Sequence, residues 1–460
     1  MIIRDISPKS TVNILLFMML VFFPVASTCW GTVYYVGSTS SANDSNTGME
    51  EDKPWRTISK AANEANAGDI VYVKNGVYYE TSEVRVKNSG RKGFPIAFQA
   101  YPNHFPVIDG SKSTVSKLIH IRGKDYITLG GFEIRNAYKY AVWVDGSNNI
   151  IRDCKIHNNG RDGGHRNGVT LKAEVGGGSH NTITRNEVYS NAWNGLSVES
   201  CNYTTISYNM FYDNGHQGVN IFPSTSTFTG IEDGNNITLN RISHNRESGI
   251  YTRYQRNNEI SNNLVYGNGQ WGIFFAGGGS GNPGKGNVYQ ANTKVYNNTI
   301  VNNNYDGLYI HTGSHVIVKN NLFYQNNHAP AWPEGDGKAN LRMGNINGCV
   351  IDHNFYIAYP NTTGPFYFNK NMALAEWQAR GFDIDGIFER TASFTDLKND
   401  VYTLSSDSDA IDKGVDLLSE GIKQDINGVS RPQGLGFDIG ACEFSRDRAL
   451  SPPRNLRVRQ

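Results

Sequence analysis

The chain has 460 residues and is almost neutral: 43 lysines and arginines stand against 42 aspartates and glutamates, for a net charge of +1. This balance argues against a surface that binds nucleic acid, so a polyanionic ligand would have to bind in a local groove. The five cysteines show no CxxC or Cys/His spacing that would indicate a zinc site.

Residues 1–31 have the features of a secretory signal peptide. Arg4 and Lys9 precede an apolar run at 12–25, and small residues follow at 26–28. The run is shorter than the roughly 20 residues that a membrane-spanning helix needs. We therefore expect this stretch to be removed. The mature chain, with no predicted membrane span, would be a secreted (extracellular or periplasmic) monomer.

Residues 32–125 predict a cap followed by the first coils of a solenoid. Tyr34–Val36 indicates a strand, 55–65 indicates a short amphipathic helix with alanines on one face, and Ile70–Val73 indicates the strand that begins the first coil. The open end of a solenoid exposes its core and its strand edges. The helix is therefore expected to cover that end.

Residues 126–375 carry a repeat that predicts the fold. A typical copy has Ile206, Asn209, Phe211, Asn214 and the pair Gly218-Val219. The anchors of successive copies are 32, 23, 31, 23, 35, 23 and 33 residues apart, at Ile151, Ile183, Ile206, Ile237, Ile260, Val295, Val318 and Ile351. The copies lack a helical period of 3.6 and the regular leucines of leucine-rich repeats. They predict an all-β fold, a right-handed parallel β-helix.

Three residue types in the repeat have predicted structural roles. An inward Asn at the same bend of each coil can hydrogen-bond its neighbours and the backbone of the bend. The Gly before the last strand suits a bend with positive φ. Cys154 stands where its coil would have a ladder Asn, so we expect a small buried filler, not a disulfide partner of Cys201.

The asparagine pattern ends in the last part of the chain. Residues 376–445 predict a closing segment, with strands at Val401–Leu404 and Phe437–Gly440. Residues 446–460 indicate an exposed linker or tail.

Two stretches resemble a known family. Lys53–Glu80, KPWRTISKAANEANAGDIVYVKNGVYYE, resembles the opening of secreted pectate-lyase-like β-helix proteins, particularly family 9 polysaccharide lyases and their uncharacterised relatives. Ala410–Phe444 resembles the closing segment of bacterial secreted β-helix proteins. The resemblance implies the fold and secretion. It leaves the reaction open, because this superfamily includes lyases, hydrolases, epimerases and binding proteins.

The final strand of each coil is predicted to place two columns of side chains outward. The first column is Trp143, Thr170, Ser197, Asn220, Tyr251, Phe274 and Tyr309, and the second is Asp145, Lys172, Glu199, Phe222, Arg253, Ala276 and His311. Aromatic rings beside titratable groups suit a sugar chain, so Trp143, Asn220, Phe274 and Tyr309 are candidate substrate-binding residues. Insertions at 161–166, 172–180, 223–234 and 277–288 would wall the groove.

The leading hypothesis is a lyase that cleaves an acidic, uronate-containing polysaccharide by β-elimination. Lys172 or Arg253 would remove the proton next to the carboxylate, Tyr251 or His311 would donate a proton, and Arg253 would bind the carboxylate. A purely structural pairing of Lys172 with Glu199 on the adjacent strand is the competing interpretation.

The sequence does not determine whether the protein binds calcium. The family resemblance implies a calcium site built from Asp-Gly pairs before these strands and an Asp within one. This chain has Asn167-Gly168, Asn194-Gly195 and Ser197 instead. Calcium is possible only through a different set of oxygen ligands, for which Asp162, Glu174 and Glu199 are candidates.

Two other function classes remain. A glycoside hydrolase would use paired carboxylates: Asp145 and Glu199 lie two strands apart, about 9.5 Å, near the upper limit for inverting enzymes. Asp162, Glu174 and Asp306 are further candidates. A non-catalytic glycan-binding or surface protein would need the aromatic rings but no base.

Overall fold

The computed structural model describes residues 31–173, 178–223, 233–277, 290–327, 339–358, 365–388 and 390–445. The predicted signal peptide, apart from Gly31, and the predicted tail at 446–460 lie outside these residues. Within the described ranges, no helix has both the length and the apolar character needed to cross a membrane.

Successive strands of the chain fall into three parallel sheets, one strand of each sheet per coil. The first sheet contains Val33–Val36, Ile70–Val73, Ile96–Ala100, Ile127–Gly130, Ile150–Arg152, Thr182–Thr184, Thr205–Ser207, Asn236–Thr238, Glu259–Ser261, Lys294–Tyr296, Ile317–Lys319 and Val350–Asp352. The second contains Val77–Tyr78, Val107–Asp109, Glu133–Arg135, Lys155–His157, Glu187–Tyr189, Met210–Tyr212, Arg241–Ser243, Leu264–Tyr266, Thr299–Val301, Leu322–Tyr324, Phe355–Ile357 and Ile387–Phe388.

The third sheet carries the predicted functional columns. It contains Val84–Arg85, Lys117–Ile121, Tyr140–Val144, Val169–Lys172, Leu196–Glu199, Val219–Phe222, Ile250–Arg253, Ile273–Ala276, Leu308–Ser314, Leu341–Asn347, Phe366–Phe368 and Asn371–Met372, with Gln290–Ala291 beside Leu308–Ser314. The last neighbours, Phe366–Phe368 and Asn371–Met372, are antiparallel. The predicted right-handed parallel β-helix is confirmed.

The register of the coils agrees with the repeat. Ile183 pairs with Ile206, Ile206 with Ile237, and the remaining anchors continue in the same column to Ile351. These residues are fully buried, so they form the interior stack of the coil core. A single-residue slip would turn the whole set outward, which explains why the hydrophobic pattern specifies the register.

Two ladders of buried asparagines run along the bends on either side of the second sheet. The first is Asn186, Asn209, Asn240, Asn263, Asn298, Asn321 and Asn354, whose Nδ2 groups donate to the next Oδ1 at 2.9–3.0 Å. Asn240 shows the second function: Nδ2 donates to the Ile206 carbonyl at 2.8 Å, and Oδ1 accepts from the Asn209 backbone N–H at 3.0 Å. The ladder thus satisfies backbone groups that the bend leaves unpaired.

The prediction of positive φ at the repeat glycines is wrong. Positive φ instead falls on the residue before each ladder asparagine, with φ of 50–60° at Arg185, Tyr208, Leu239, Asn262, Asn297, Asn320 and His353. The glycines are needed for space: a Cβ at Gly249 would lie 2.6 Å from Val265 Cγ1 and 2.8 Å from the Gly272 carbonyl oxygen. Adjacent coils therefore approach too closely for a side chain at this column.

The bends differ in how strictly their length is conserved between coils. Between the first and second sheets, two residues intervene in each coil from Ile150–Arg152 to Val350–Asp352. After the third sheet the length varies: residues 173–181 follow one strand, whereas only 200–204 follow the next. Insertions therefore concentrate beside the third sheet.

Both ends of the solenoid are covered. The helix Ile58–Glu64 begins after Thr57, whose Oγ1 accepts from the Lys60 N–H at 3.1 Å, and its buried alanines pack on the first coils, as predicted. At the other end a helix, Leu374–Gln378, places Trp377 in the core. The sequence pattern did not predict that second helix.

The closing segment folds back along the solenoid. It contains the antiparallel strands Phe394–Asp396 and Val401–Leu404, the latter as predicted, and two 3-10 helices, Leu397–Asn399 and Leu418–Glu420; a third lies near the N terminus at Gly110–Lys112. The predicted strand at Phe437–Gly440 is wrong, because Phe437 forms only an isolated bridge with Gly414. Tyr402, Ile426 and Ala441 cover Leu239 and the second-sheet residues Leu264 and Val301.

The four cysteines within the described residues, Cys154, Cys201, Cys349 and Cys442, are all free thiols. Cys154 is buried and occupies the position of a ladder asparagine. Its backbone N–H donates to Asn186 Oδ1 at 3.0 Å. Burial raises the pKa of the Cys154 thiol to about 12, consistent with an unreactive filler.

Candidate functional site

The first predicted column is present on the third sheet. Direct strand pairing joins Trp143, Thr170, Ser197, Asn220, Tyr251, Phe274 and Tyr309 in that order. In the second column Lys172 pairs with Glu199, Glu199 with Phe222, and Arg253 with Ala276. Tyr251 and Arg253 belong to one strand, and His311 follows Tyr309 by two residues on the next strand but one, so all three lie on one face of the third sheet.

The early part of this face is more closed than predicted. Asp145 has no exposed surface, and Trp143 is 6% exposed, while Thr170 and Ser197 are also buried. The ring of Tyr140 meets Trp143 edge-on at 4.7 Å, and Lys117 Nζ lies 4.2 Å from the centre of that indole. Trp143 therefore cannot offer an open ring face to a sugar, contrary to its predicted role.

Asp145 has a structural environment and not a catalytic one. One oxygen accepts from the Gly123 N–H, and the other lies 3.6 Å from His120 Nε2. Burial raises the pKa of Asp145, but the neighbouring His120 and the hydrogen bond from the Gly123 N–H outweigh it, so the net pKa is lowered. A buried carboxylate of this kind cannot pair with Glu199 across a glycosidic bond, so the predicted hydrolase pair is wrong.

Lys172 and Glu199 form an ion pair across adjacent strands. Lys172 Nζ lies 2.9 Å from Glu199 Oε2 and 5.8 Å from the centre of the Trp143 ring. Both side chains retain some exposure, at 28% and 16%. This ion pair is the structural pairing that competes with a catalytic role for Lys172.

An aromatic platform follows on the later coils, formed by Tyr251, Trp271, Phe274, Tyr305 and Tyr309. Phe274 stacks on Tyr309 at 5.0 Å and meets Tyr251 edge-on at 5.4 Å. Trp271 lies 4.3 Å from Phe274 and 5.3 Å from Tyr305. All five rings are half-buried. The sequence reasoning missed Trp271 and Tyr305, because it considered only residues within and after the strands.

Burial raises the pKa values of two platform phenols. For Tyr251 burial is the main cause and the positive charge of Arg253 opposes it; for Tyr309 burial acts against Arg342 in the same way. Both phenols are protonated at neutral pH, as tyrosine is without any shift. Tyr251 can therefore act as a proton donor.

Three cationic or titratable groups border the platform. Arg253 is exposed, with its guanidinium 4.9 Å from the Tyr254 ring, and His311 meets the Tyr309 ring edge-on at 5.7 Å. Arg342 pairs in register with Tyr309 and lies 5.4 Å from that ring. Arg342 was not predicted because the repeat pattern breaks after Asn326.

Asp306 is another carboxylate that was predicted as a candidate for hydrolysis, and both of its oxygens accept hydrogen bonds from the protein. It is buried, and it accepts from Asn327 Nδ2 at 2.9 Å, the Ala339 N–H at 3.0 Å and Arg342 Nε at 2.7 Å. Burial raises its pKa. Asp306 fixes the orientation of Arg342 and is not available to a substrate.

The predicted metal ligands do not form a site within the described residues. Asp162 accepts from the Gly164 N–H and pairs with Arg166 Nε at 3.0 Å, and Glu199 is paired with Lys172. Glu174 lies outside the described residues. At the positions of the family's acidic cluster, Asn167 Nδ2 donates to Thr170 and Asn194 Oδ1 accepts from the Gln217 N–H. These residues do not fit a calcium site.

Residues 34–340 match the family model described as the Pel9A-like right-handed β-helix region. Uncharacterized protein YwoF of Bacillus subtilis is 33% identical over 132 residues, which cover 26% of this chain and 28% of that protein. Pectate lyase PEL9 of Emericella nidulans is 26% identical over 154 residues, covering 30% and 35%. The match thus spans about a third of these curated relatives.

The fold agrees with this assignment. The crystal structure of pectate lyase Pel9A superposes with a TM-score of 0.55 at 19% identity, and the match covers 90% of this chain and 96% of that one. The XylC structure, a complex with xylose, gives a TM-score of 0.57 at 13% identity. The chain therefore belongs to the Pel9A-like right-handed β-helix family.

Proposed function

We propose that this protein is a secreted polysaccharide lyase that cleaves an acidic, uronate-containing polysaccharide by β-elimination. The observation that carries the proposal is the aromatic platform with Arg253 and Arg342 on the same face of the third sheet. Rings cover the apolar faces of sugars, and guanidinium groups bind carboxylates. Relatives whose names are pectate lyase and rhamnogalacturonan lyase support the class of reaction.

The reaction needs a base, a cation and a proton donor from the candidate residues on this face of the sheet. A base removes the proton on the carbon next to the uronate carboxylate, while a cation stabilises the enolate that forms. The bond from the β-carbon to the glycosidic oxygen then breaks, and that oxygen takes a proton. Lys172 is one candidate base, with Arg253 as the carboxylate ligand; Arg253 is the alternative candidate base, and Tyr251 or His311 supplies the proton.

A panel of pectate, alginate and glycosaminoglycans, followed by the ultraviolet absorbance of the unsaturated product, tests the proposal. We expect absorbance to rise with at least one polymer and to persist in the presence of a chelator, because the residues present do not fit the family's calcium cluster. Arg253→Ala should reduce kcat/KM by about 100-fold or more. The exposed Arg246→Ala is the matched control and should retain activity. Absence of a rise with every polymer would refute the lyase.

Glycan binding without catalysis is the second candidate. It is favoured by the Lys172–Glu199 ion pair, which occupies one of the two candidate bases. Binding of an acidic polymer with neither unsaturated product nor new reducing ends would support it. New reducing ends without unsaturated product would indicate a hydrolase that uses carboxylates other than Asp145 and Asp306.

A further inference from the structure

A cavity opens at the first-coil end of the third sheet, away from the aromatic platform. Its volume is about 450 Å³, and it is lined by Glu83, Arg85, Val115, Ser116, Lys117, His120 and Arg122. The lining residues come from Val84–Arg85, Lys117–Ile121 and their flanks. The repeat pattern does not extend to these irregular coils, so the sequence reasoning did not identify them.

The rim of this cavity is cationic. Arg85 pairs with Glu83, and Lys117 lies over the Trp143 ring at 4.2 Å. Arg122 is exposed and has no ion-pair partner within the described ranges. Among the described residues, Lys117 and Arg122 therefore form no ion pair with a carboxylate, in a protein whose total charge is only +1.

The lining residue His120 adjoins two further buried polar groups, Asp145 and Trp143, and the hydrogen bonding of all three is incomplete. His120 is 2% exposed; its Nδ1 lies 2.8 Å from Glu83 Oε1, and its Nε2 faces Asp145 Oδ2 at 3.6 Å. His120 Nε2, Asp145 Oδ2 and, on the adjacent strand, Trp143 Nε1 have no hydrogen-bond partner among the described residues. Buried polar atoms are nearly always hydrogen-bonded in folded proteins, which makes the surroundings of His120 a candidate binding site.

We propose that this cavity is a subsite for the carboxylate of one uronate unit, held by Arg122 and Lys117 with His120 behind it. Charge-assisted hydrogen bonds from guanidinium and ammonium groups are the usual way to bind a sugar carboxylate. The identity of the polymer rests on the proposed function. Five strand-to-strand steps separate Lys117–Ile121 from Ile250–Arg253, a span of about 24 Å, so the subsite and the platform contact different units of one chain.

The test is binding measured by isothermal titration calorimetry with polygalacturonate, alginate and hyaluronan, and with galactan as the neutral control. Arg122→Gln should weaken binding of the acidic polymer about tenfold and reduce its salt dependence, without changing the melting temperature. Arg390→Gln, which alters an exposed arginine of the closing segment, should bind like the unmodified protein.

The outcomes separate this inference from the lyase proposal. Weaker binding by Arg122→Gln supports the subsite even if no polymer yields unsaturated product. Equal binding by Arg122→Gln and the unmodified protein overturns the subsite even if the lyase activity is present. Absence of binding to all three acidic polymers also overturns it.

Discussion

At the scale of single residues, burial decides which titratable groups can react. Asp145 and Glu199 were predicted to share one outward column, yet Asp145 is enclosed while Glu199 is partly exposed. The difference comes from the irregular early coil, where His120 and Gly123 contact Asp145. A repeat pattern predicts the direction of a side chain but not what neighbouring coils place over it.

The lowered pKa of Asp145 predicts a pH-dependent contribution to stability. An aspartate whose folded-state pKa lies below its unfolded value of about 3.9 stabilises the fold above that pH, and the contribution disappears as the pH falls through the folded pKa. Asp145→Asn should therefore lower the free energy of unfolding by about 1–3 kcal/mol at pH 7, with a smaller loss under acidic conditions. Urea unfolding at pH 7 and near pH 3 measures the difference.

Asp52→Asn is the control for this experiment, because Asp52 is exposed. It should leave the urea midpoint unchanged at both pH values. An Asp145→Asn variant as stable as the unmodified protein at pH 7 would contradict the structural role of Asp145.

At the scale of a coil, close stacking and backbone conformation are separate requirements. The glycine column allows neighbouring backbones to approach, whereas the residues that precede the ladder asparagines adopt the left-handed conformation. The sequence pattern located the glycine column and the ladder asparagines, but it assigned positive φ to the glycines and not to the residues before the asparagines. Spacing alone does not distinguish a glycine needed for space from one needed for its φ.

Gly249→Ala tests the stacking requirement. The new Cβ would lie 2.6 Å from Val265 Cγ1, so the adjacent coil must shift, and we expect the free energy of unfolding to fall by about 2–3 kcal/mol. Gly421→Ala is the matched comparison: nothing lies within 4 Å of its Cβ, but φ is +90°, so only backbone strain of about 1 kcal/mol is expected. Equal losses of stability in the two variants would show that crowding at Gly249 is unimportant.

Much of the coil architecture was predictable, because one face of each strand is apolar and the anchors recur in register. The same register predicted the part of the first column that runs from Tyr251 to Tyr309. The register did not predict four other features: Trp271, Tyr305, Arg342 and the cavity beside Arg122. They lie in bends or in coils where the pattern is interrupted, so their positions beside the third sheet depend on the folded structure.

At the scale of the whole molecule, the closing segment ties distant coils together. Its Arg431 and Glu443 form a buried ion pair at 2.6 Å with no exposed side-chain surface, and Arg431 also donates to the Asp438 and Gly440 carbonyls. Ladder-flanking Asn297 donates to the Asp438 carbonyl at 2.9 Å. The segment therefore depends on a buried polar centre, in which Arg431 Nε has no hydrogen-bond partner among the described residues.

Breaking the buried pair should detach the segment from the solenoid. Glu443→Gln leaves the Arg431 charge buried without a carboxylate, and we expect a loss of about 3–5 kcal/mol in stability together with increased proteolysis after residue 390. Glu376→Gln alters an exposed pair with Lys370 and should cost less than about 1 kcal/mol. Similar melting temperatures for the two variants would contradict this account.

The unequal freedom of the bends has an evolutionary consequence. Two residues form the bend between the first and second sheets. Any change in the length of that bend would break an asparagine ladder, so insertions are not tolerated there. The corner after the third sheet accepts extra residues coil by coil and borders the proposed groove. Related proteins with this fold can thus differ in the insertions beside the third sheet and in the polymer that they recognise, while the buried core of every coil stays the same.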